Sequence, residues 1–407
     1  VFDEAALQAL QNENSALYGR LMTLLIRNVC FKFRRVLEER EPMVGYAAAL
    51  SAGRRRFKHS RPLPEYFFQT HEWKFVHGIV EAFKAKFFDI SHSLQKDYNP
   101  EISAELQAQC QEVMDDFNVN LRRMHQVIES PEFLDFVWGY VFKELFPYFM
   151  RSRFAERAYY KPKGYPGDYL MMEMIYGNQA QGDGKFGTIA DSWLLKSAPA
   201  RAVRGRRRLM CEQLHHQSRR RMAGGGPIRI ASLACGPCRE LFDFLSGCDY
   251  TEKIDALCID IDPDALQYVN NHVNVFHHRA AIRFLNENLV KWALGRARQD
   301  FQLQDIIYCV GLADYLETPF LQRLIRRCYE QLHPGGTLIL GNFGAQNPDR
   351  AFMENILSWH LIHRSADELA DIFARTPFGA GIDIIAEEQH INLFAVAHKP
   401  EDAPAEK

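Results

Sequence analysis

The chain lacks three features that would point to a membrane, a nucleic acid or secretion. No apolar run reaches the roughly 18 residues of a membrane helix, and the richest segment, 133–150, contains three charged residues and a proline. Lys and Arg number 49 and Asp and Glu 51, a formal net charge of −2 that does not favour a nucleic-acid partner. Val1 begins no signal-peptide pattern. We expect a cytoplasmic protein without a membrane span, and the missing initiator Met suggests a longer gene product.

Paired metal-ligand motifs are also missing. The chain has nine cysteines, an odd number, and five of them fall in or beside predicted strands or turns, which favours reduced thiols over a disulfide framework. Cys235 and Cys238 form a single CxxC pair, but no second CxxC or HxxxH pair completes four zinc ligands. We therefore predict no metal site and interpret both cysteines as small turn residues.

Two structural domains are expected, because single cores rarely grow beyond about 250–300 residues and the chain has 407. We predict a helical domain at 1–150, a lid segment and Arg-rich helix at 151–226, an α/β domain at 227–400 and a flexible tail at 401–407. The N-terminal helices are predicted at 3–40, 73–96, 102–128 and 133–148, with a basic cluster at 54–58 between the first two.

The C-terminal half alternates strands with helices, which predicts a parallel sheet with right-handed crossovers. Strands are predicted at 228–234, 254–260, 281–286, 305–310, 337–342, 382–386 and 391–397, and helices at 239–247, 263–274, 289–297, 319–332 and 351–374. Only four residues join the last two strands, too few for a crossover, so these strands are predicted to be antiparallel. The predicted fold is α/β, a seven-stranded Rossmann-like sheet with an antiparallel last hairpin and an all-helical N-terminal domain.

The segment 228–247 is the most informative, because it predicts a buried strand, a Gly-Pro turn and a helix with Glu240 in its first turn. The next strand ends in Asp260. A strand, a glycine turn and a helix, followed by a strand that ends in a carboxylate, are typical of sites for adenosine-containing cofactors. The turn has a single glycine, Gly236, and a dinucleotide pyrophosphate needs close backbone approach at more than one point. A cofactor without phosphates is therefore favoured.

Five segments carry a resemblance to a known family: KGYPGD (163–168), ACGPCRE (234–240), GLADYL (311–316), GNF (341–343) and WHLIHRS (359–365). With the strand order, they make residues 228–400 resemble a class I methyltransferase dependent on S-adenosylmethionine (SAM). More narrowly, the chain is similar to the bacterial methyltransferases of 3-hydroxypalmitic acid methyl ester biosynthesis. The resemblance implies methylation of a 3-hydroxy fatty acid carboxylate, or its carrier-bound form, to make a quorum-sensing ester.

The same resemblance implies the site residues. It places the cofactor at Cys235, Gly236, Pro237, Asp260, Ile261, Asn288, Leu289, Gly311 and Leu312. Asp260 would bind the ribose and Asn288 the adenine edge. The acidic residue that the class carries in its first strand is Ser232 here, so Glu240 or Asp168 remains to partner the methionine ammonium of SAM.

Tyr165, Tyr315, Asn342 and Arg364 are the predicted acceptor-site residues, with Tyr169 as a further candidate. Arg364 is interpreted as a ligand of the substrate carboxylate or as part of a structural ion pair. Asp314 or His360 would contact the 3-hydroxyl. Residues 161–169 are predicted to form a lid over SAM.

Several alternatives stay open at this point. The Arg-rich helix, 198–222, is interpreted as a solvated face or as a docking surface for an acidic partner such as acyl carrier protein. The aromatic stretch 133–149 would form helix core or the wall of an acyl tunnel. A homodimer is expected. The alternative functions are methylation of another small molecule, a nucleic acid or a protein, and a degenerate SAM-binding regulator.

Overall fold

The computed structural model describes residues 4–27, 29–30, 65–96, 102–273, 275–297 and 301–401. The N-terminal half of the described chain is helical: α1 (Glu4–Glu13), α2 (residues 15–27), α3 (His71–Lys96), α4 (Ala104–Val127), α5 (Pro131–Phe149), α6 (Arg153–Tyr160), α7 (Tyr169–Gly177), α8 (Gly184–Lys196) and α9 (Ala198–Arg221). The C-terminal half contributes α10 (Arg239–Ser246), α11 (Pro263–Val273), α12 (Leu289–Ala293), α13 (Thr318–Glu330), α14 (Arg350–Asn355) and α15 (Ala366–Ala374).

The strands of the described chain form one mixed sheet. They are β1 (Ile228–Leu233), β2 (Ile254–Asp260), β3 (Ala281–Asn286), β4 (Gln304–Cys309), β5 (Leu332–Phe343), β6 (Asp383–Ala386) and β7 (Asn392–His398). Their spatial order is β3-β2-β1-β4-β5-β7-β6, and β7 runs antiparallel to both of its neighbours. The predicted Rossmann-like sheet with an antiparallel last hairpin is confirmed, as is the helical N-terminal region.

The strand order reverses between β1 and β4, which are parallel neighbours. At such a switch point the connections leave in opposite directions and open a crevice beyond the carboxyl ends of the strands, where α/β sheets bind ligands. Leu233, the last residue of β1, pairs with Ile259 of β2. The turn after β1 therefore starts beside Asp260.

The helical half packs on the α/β half through a shared apolar core. Serines cap several of its helices: Ser130 Oγ accepts from the backbone N–H of Phe133 before α5, and Pro131 occupies the first turn of that helix, as its fixed φ favours. The core formed by α3, α4, α5 and α8 continues into Phe343, the last residue of β5, and into Phe352 and Trp359 in the segment after it. The aromatic stretch of α5 is thus core, with Phe149 packed edge-on against Phe352 at 5.1 Å.

Two predicted helices differ from the structure. The segment predicted as one helix at 351–374 is divided into α14 and α15, and residues 357–363 between them form no helix. The backbone N–H of Ile362 donates to Asp314 O, and that of Arg364 donates to Phe343 O, so tertiary pairing replaces helical bonds there. Ser365 and Glu368 then form a capping box that starts α15. The helix predicted at 289–297 is the shorter α12.

Some predictions lie outside the described residues, namely the basic cluster at 54–58, the second part of the helix predicted at 3–40 and most of the tail at 401–407. Among the described helices, none combines the length and apolarity needed to cross a bilayer.

Candidate active site

A cavity of about 340 Å³ lies beyond the carboxyl ends of β1 and β4, under the helical half. One part of its wall comes from the ends and loops of the sheet. The other part comes from α6 to α9, the segment between α6 and α7, and the segment after β5. The first part includes Ser232, Ala234, Cys235, Gly236, Pro237, Glu240, Asp260, Ile261, Val310, Gly311, Leu312, Asp314 and Tyr315. One cavity thus joins the sheet edge to the helical half.

The turn after β1 is built from left-handed backbone. Ala234, Gly236 and Cys238 have φ values of 51°, 52° and 52°, in the region that glycine adopts without strain. Only one of the three is glycine, so the sequence has fewer glycines than such turns usually have. The backbone is nevertheless left-handed at all three positions. The Cys235 N–H donates to Ile259 O at 3.0 Å and closes the turn against β2.

Asp260 ends β2 at the centre of this wall. Its Oδ2 accepts from the Gly236 N–H and its Oδ1 from the Asp262 N–H, both at 2.9 Å. Burial raises the pKa of this carboxyl, while the backbone donors act in the opposite direction. Each oxygen keeps a lone pair, and the residue lines the cavity, so the carboxylate is held rigidly where ribose hydroxyls would reach it.

Eleven of the predicted site residues line this cavity. They are Tyr165, Cys235, Gly236, Pro237, Glu240, Asp260, Ile261, Gly311, Leu312, Asp314 and Tyr315. Tyr169 does not; its ring packs on Tyr268 at 5.3 Å.

Arg364 and Asn342 do not line the cavity and instead satisfy each other and buried backbone. Arg364 is 3% exposed, and its guanidinium donates to Ala313 O, Leu316 O and Asn342 Oδ1. The Asn342 amide donates to Phe343 O and Ile362 O. Of the two interpretations of Arg364, a ligand of the substrate carboxylate or a structural ion pair, the structure favours a structural role, in which hydrogen bonds hold the loop after β4 to the segment after β5.

Three predicted cofactor residues also have other roles in the structure. The fully buried Asp168 caps α7 through Met171 N–H and forms a bidentate pair with Arg157 at 3.0 and 2.7 Å, so the charge of its carboxylate is already matched. The Asn288 side chain caps α12, accepting from the N–H groups of Val290 and Lys291. Leu289 is buried in the apolar core.

Glu240 is therefore the better placed of the two candidates for the methionine ammonium. It stands in the first turn of α10 and lines the cavity. Its Oε1 accepts from Tyr308 Oη at 3.2 Å. Burial raises the pKa of the Glu240 carboxyl to about 8, and the charge of Arg206 opposes that shift.

Arg206 is a site residue that the sequence analysis missed. It lies on α9, is 6% exposed and lines the cavity. Its Nε has no hydrogen-bond partner, and its Nη2 contacts Met172 Sδ at 3.2 Å. The helical spacing contained a signal, because Val203, Arg206 and Met210 share one face of α9 and the other two are buried apolar residues.

The other arginines of α9 are mostly paired within the chain. Arg207 pairs with Asp243, Arg208 with Glu388 and Arg221 with Asp305. Arg204 donates to the carbonyls of Ile175 and Leu195. Few guanidinium groups of this helix are left for a docking partner, and an acyl carrier protein there remains a prediction.

The far part of the cavity is apolar. Its wall is formed by Phe154, Met172, Ile175, Trp193, Leu194, Pro199, Ala200, Val203, Phe343, Phe352, Met353, Leu357, Trp359 and Leu361. We name this part the apolar chamber. Asp349 is the acidic residue there, and its oxygens accept from Asn118 Nδ2 and Ala198 N–H. The chamber thus offers a ligand mainly hydrophobic contact.

The segment at 161–169 is tied to both parts of the site. Lys163 Nζ bridges to Asp262 at 3.3 Å and to Asp264, in the segment that follows β2. At the other end, Gly167 packs against Tyr315, whose hydroxyl accepts from Trp359 Nε1 at 3.1 Å. The segment covers the cavity at the boundary between the sheet wall and the apolar chamber.

Comparisons with known proteins agree with this site. Residues 167–272 match the model of a family described as putative methyltransferase. These residues include the cofactor turn and Asp260. No curated protein matches the chain.

Solved structures give distant likenesses. A possible exported protein from Bordetella parapertussis is 16% identical, covers 83% of this chain and 100% of its own, with a TM-score of 0.45. The magnesium protoporphyrin IX methyltransferase of Synechocystis PCC 6803 with bound S-adenosylhomocysteine is 11% identical over 60% of this chain and 97% of its own, with a TM-score of 0.39. The N-methyltransferase NodS of Bradyrhizobium japonicum WM9 is 16% identical over 47% and 87%, with a TM-score of 0.32.

Because these TM-scores are below 0.5, the assignment rests on the chain's own residues and on the family match. The strand order and the turn held by Asp260 are compatible with a methyltransferase, the family that residues 167–272 resemble.

Proposed function

We propose that the protein methylates the carboxylate of a 3-hydroxy fatty acid, with SAM as the methyl donor, and releases a methyl ester. The observation that carries this proposal is the continuity of the cavity. The wall that would hold SAM and the apolar chamber belong to one cavity of about 340 Å³. An acyl chain is an acceptor that gains from such a chamber, at about 0.8 kcal/mol for each buried methylene.

The carboxylate end of the acid would lie at the boundary between the two parts, near Tyr165 and Tyr315. Burial raises the pKa of both phenols, so they remain protonated hydrogen-bond donors. The Tyr315 hydroxyl accepts a hydrogen bond from Trp359, which leaves the hydroxyl proton available to the substrate carboxylate. Neutral donors orient a carboxylate without deterring its attack on the positive sulfonium.

Methyl transfer is an in-line displacement in which a carboxylate oxygen forms a bond to the methyl carbon as the bond from carbon to sulfur breaks. A carboxylic acid is ionised near neutral pH, so no general base is needed. Catalysis comes from holding the oxygen about 3–3.5 Å from the methyl group in a site that excludes water. A thioester carries no ionised oxygen, which favours the free acid over a carrier-bound form as the reacting species.

Asp314 is the residue we assign to the 3-hydroxyl. It lines the cavity, and its Oδ1 accepts from the Phe343 N–H. Burial raises the pKa of the Asp314 carboxyl to about 6. The other candidate, His360, is exposed and lies outside the cavity wall. The product would be a neutral ester that diffuses through membranes, in keeping with a signalling role.

The test is incubation of the purified protein with methyl-labelled SAM and a panel of acceptors. The panel contains free 3-hydroxy fatty acids of graded length, the matching unsubstituted acids, their carrier thioesters, DNA, RNA and protein. We expect label in an organic-extractable product that mild alkali releases as methanol, as an ester requires. An alkali-stable product would indicate an ether, and label in nucleic acid or protein alone would overturn the proposal.

A further inference from the structure

Two ionisable side chains, one basic and one acidic, face the sheet part of the cavity from different elements. Arg206 comes from α9, before β1, and Glu240 comes from α10, after the cofactor turn. The charge of Arg206 lowers the pKa of Glu240, so the two groups are within electrostatic range. The structure records no ion pair between them, and both line the same cavity.

Arg206 is unusual because its charge is buried without a matching carboxylate bond. Its Nε is an unsatisfied buried donor, and an unpaired buried charge is costly unless a ligand completes it. The guanidinium lies against Gly311 at the end of β4. A Cβ added to Gly311 would lie 3.4 Å from Nη2, an ordinary contact distance, which places the guanidinium directly beside this residue. Across the switch point lies the turn at Gly236, where SAM would cross the sheet edge.

A further acid, Asp314, also lies near Arg206. The charges of Arg206 and Arg364 both lower the pKa of the Asp314 carboxyl, and its Oδ1 accepts from the Phe343 N–H. The Tyr176 hydroxyl also faces Arg206, and it is a neutral group. Among the described residues no carboxylate is hydrogen-bonded to Arg206, so the guanidinium retains the capacity for an anionic ligand at the sheet end of the cavity.

We propose that Arg206 and Glu240 together bind the zwitterionic end of SAM, Arg206 the α-carboxylate and Glu240 the α-ammonium. The pair replaces the acid that the first strand lacks, where Ser232 stands. It also explains how a turn with one glycine binds SAM: charged side chains, rather than further backbone approach, hold the methionine part. This inference rests on the proposed function only in taking SAM as the methyl donor, not in the identity of the acceptor.

Three ligands distinguish the role of Arg206 from that of Glu240 in a binding experiment that contains no methyl acceptor. SAM carries both charged groups, decarboxylated SAM keeps only the amine, and 5′-methylthioadenosine carries neither. The variants are Arg206→Met and Glu240→Gln, and the matched control is Arg201→Met, an exposed arginine of the same helix. Affinities are measured by titration calorimetry.

We expect Arg206→Met to weaken SAM roughly tenfold or more, since charge-assisted hydrogen bonds are lost, and to change the affinity of the other two ligands little. Glu240→Gln should weaken SAM and decarboxylated SAM but not methylthioadenosine. Arg201→Met should bind all three normally. Equal weakening of all three ligands by Arg206→Met would indicate a structural role and overturn the proposal.

A second result would also overturn it. If Arg206→Met binds SAM normally but raises KM for an acid acceptor, the guanidinium binds the acceptor carboxylate instead. Should Arg206→Met fail to fold, Arg206→Lys keeps the charge without the planar fork, and we then expect intermediate SAM affinity with normal methylthioadenosine affinity. Failure of the acid panel would leave these binding measurements unaffected, so the two proposals fail separately.

Discussion

Asp260 accepts a hydrogen bond from the backbone N–H of Gly236 at 2.9 Å and so joins the end of β2 to the turn after β1. The same carboxylate accepts from Asp262 N–H. It therefore sets the shape of the turn and faces the cavity at once. A substitution of Asp260 should therefore alter both the conformation of the turn and the wall of the cavity.

Asp260→Ala should weaken the binding of both SAM and 5′-methylthioadenosine by about 1–3 kcal/mol, the range for unpaired polar groups. Both ligands carry the ribose, so their losses should be equal. Calorimetric titration measures this, with Asp371→Ala as the control because Asp371 is exposed on α15 and lies outside the cavity wall. Unchanged affinity in Asp260→Ala would remove this carboxylate from the ribose site.

Tyr165→Phe should lower kcat/KM for an acid acceptor by roughly tenfold, because one hydrogen bond to a charged oxygen is worth about 1.5 kcal/mol or more. SAM affinity should stay near that of the parent protein. Tyr169→Phe is the matched control from the same segment, since Tyr169 packs on Tyr268 outside the cavity. Equal kinetics in both variants would place the acceptor elsewhere.

Ala200→Leu should shorten the longest acid that the enzyme methylates well. Ala200 is 2% exposed and lines the apolar chamber from α9. Each methylene that the added side chain displaces should cost about 0.8 kcal/mol, roughly fourfold in kcat/KM. Rates across acids of graded length check this, and SAM affinity serves as the control. An unchanged length profile would show that the acyl chain does not enter the chamber.

SAM affinity should rise with pH between about 6 and 8, and S-adenosylhomocysteine is the convenient probe. Burial raises the pKa of Glu240 to about 8 in the free protein, so below that pH the carboxyl is protonated. Binding an ammonium needs the ionised form, and the proton is released on binding. Affinity should therefore increase roughly tenfold or more from pH 6 to pH 7.5. Glu240→Gln should flatten this dependence, and a flat parent profile would contradict the assignment.

Arg364→Ala should reduce the free energy of unfolding by about 1–3 kcal/mol or more, because it leaves buried carbonyl groups at Ala313 and Leu316 without their donor. Chemical denaturation measures the change. Arg350→Ala is the control, since its pair with Glu354 is a surface pair one helical turn apart, worth about 0.5 kcal/mol or less. A variant of normal stability with a raised KM for acids would restore Arg364 as a substrate ligand.

The centre of the sheet could be predicted because strands such as β2 and β4 are buried on both faces. Leu257, Cys258 and Ile259, for example, are all buried, and such continuous apolar runs bounded by turn residues are a strong local signal. The short link between the last two strands fixed their antiparallel sense. Those features depend on neighbours in sequence, so the fold class follows from them.

The loop at 357–363 could not be predicted in this way. Its sequence is compatible with a helix, and the competing bonds come from Asp314 and Phe343, which are distant in sequence. The same holds for Arg364, whose partners lie on the loop after β4 and at the end of β5. Arg206 is different, because its helical register was available in the sequence. Its spacing from Val203 and Met210 predicts a buried position, which distinguishes Arg206 from the exposed arginines of α9.

Helix α9 has a consequence for how the protein can be divided. Its first turns line the apolar chamber through Pro199 and Ala200, Arg206 faces the sheet end, and Arg221 pairs with Asp305 of β4 at 2.6 Å. Met210 and Leu214 belong to the core of the sheet, whereas Ala202 and Val203 belong to the core of the helical half. A fragment that begins at the 226/227 boundary would lose α9, the helix that contributes side chains to the cores of both halves. Gene fragments for expression should therefore start upstream of this helix.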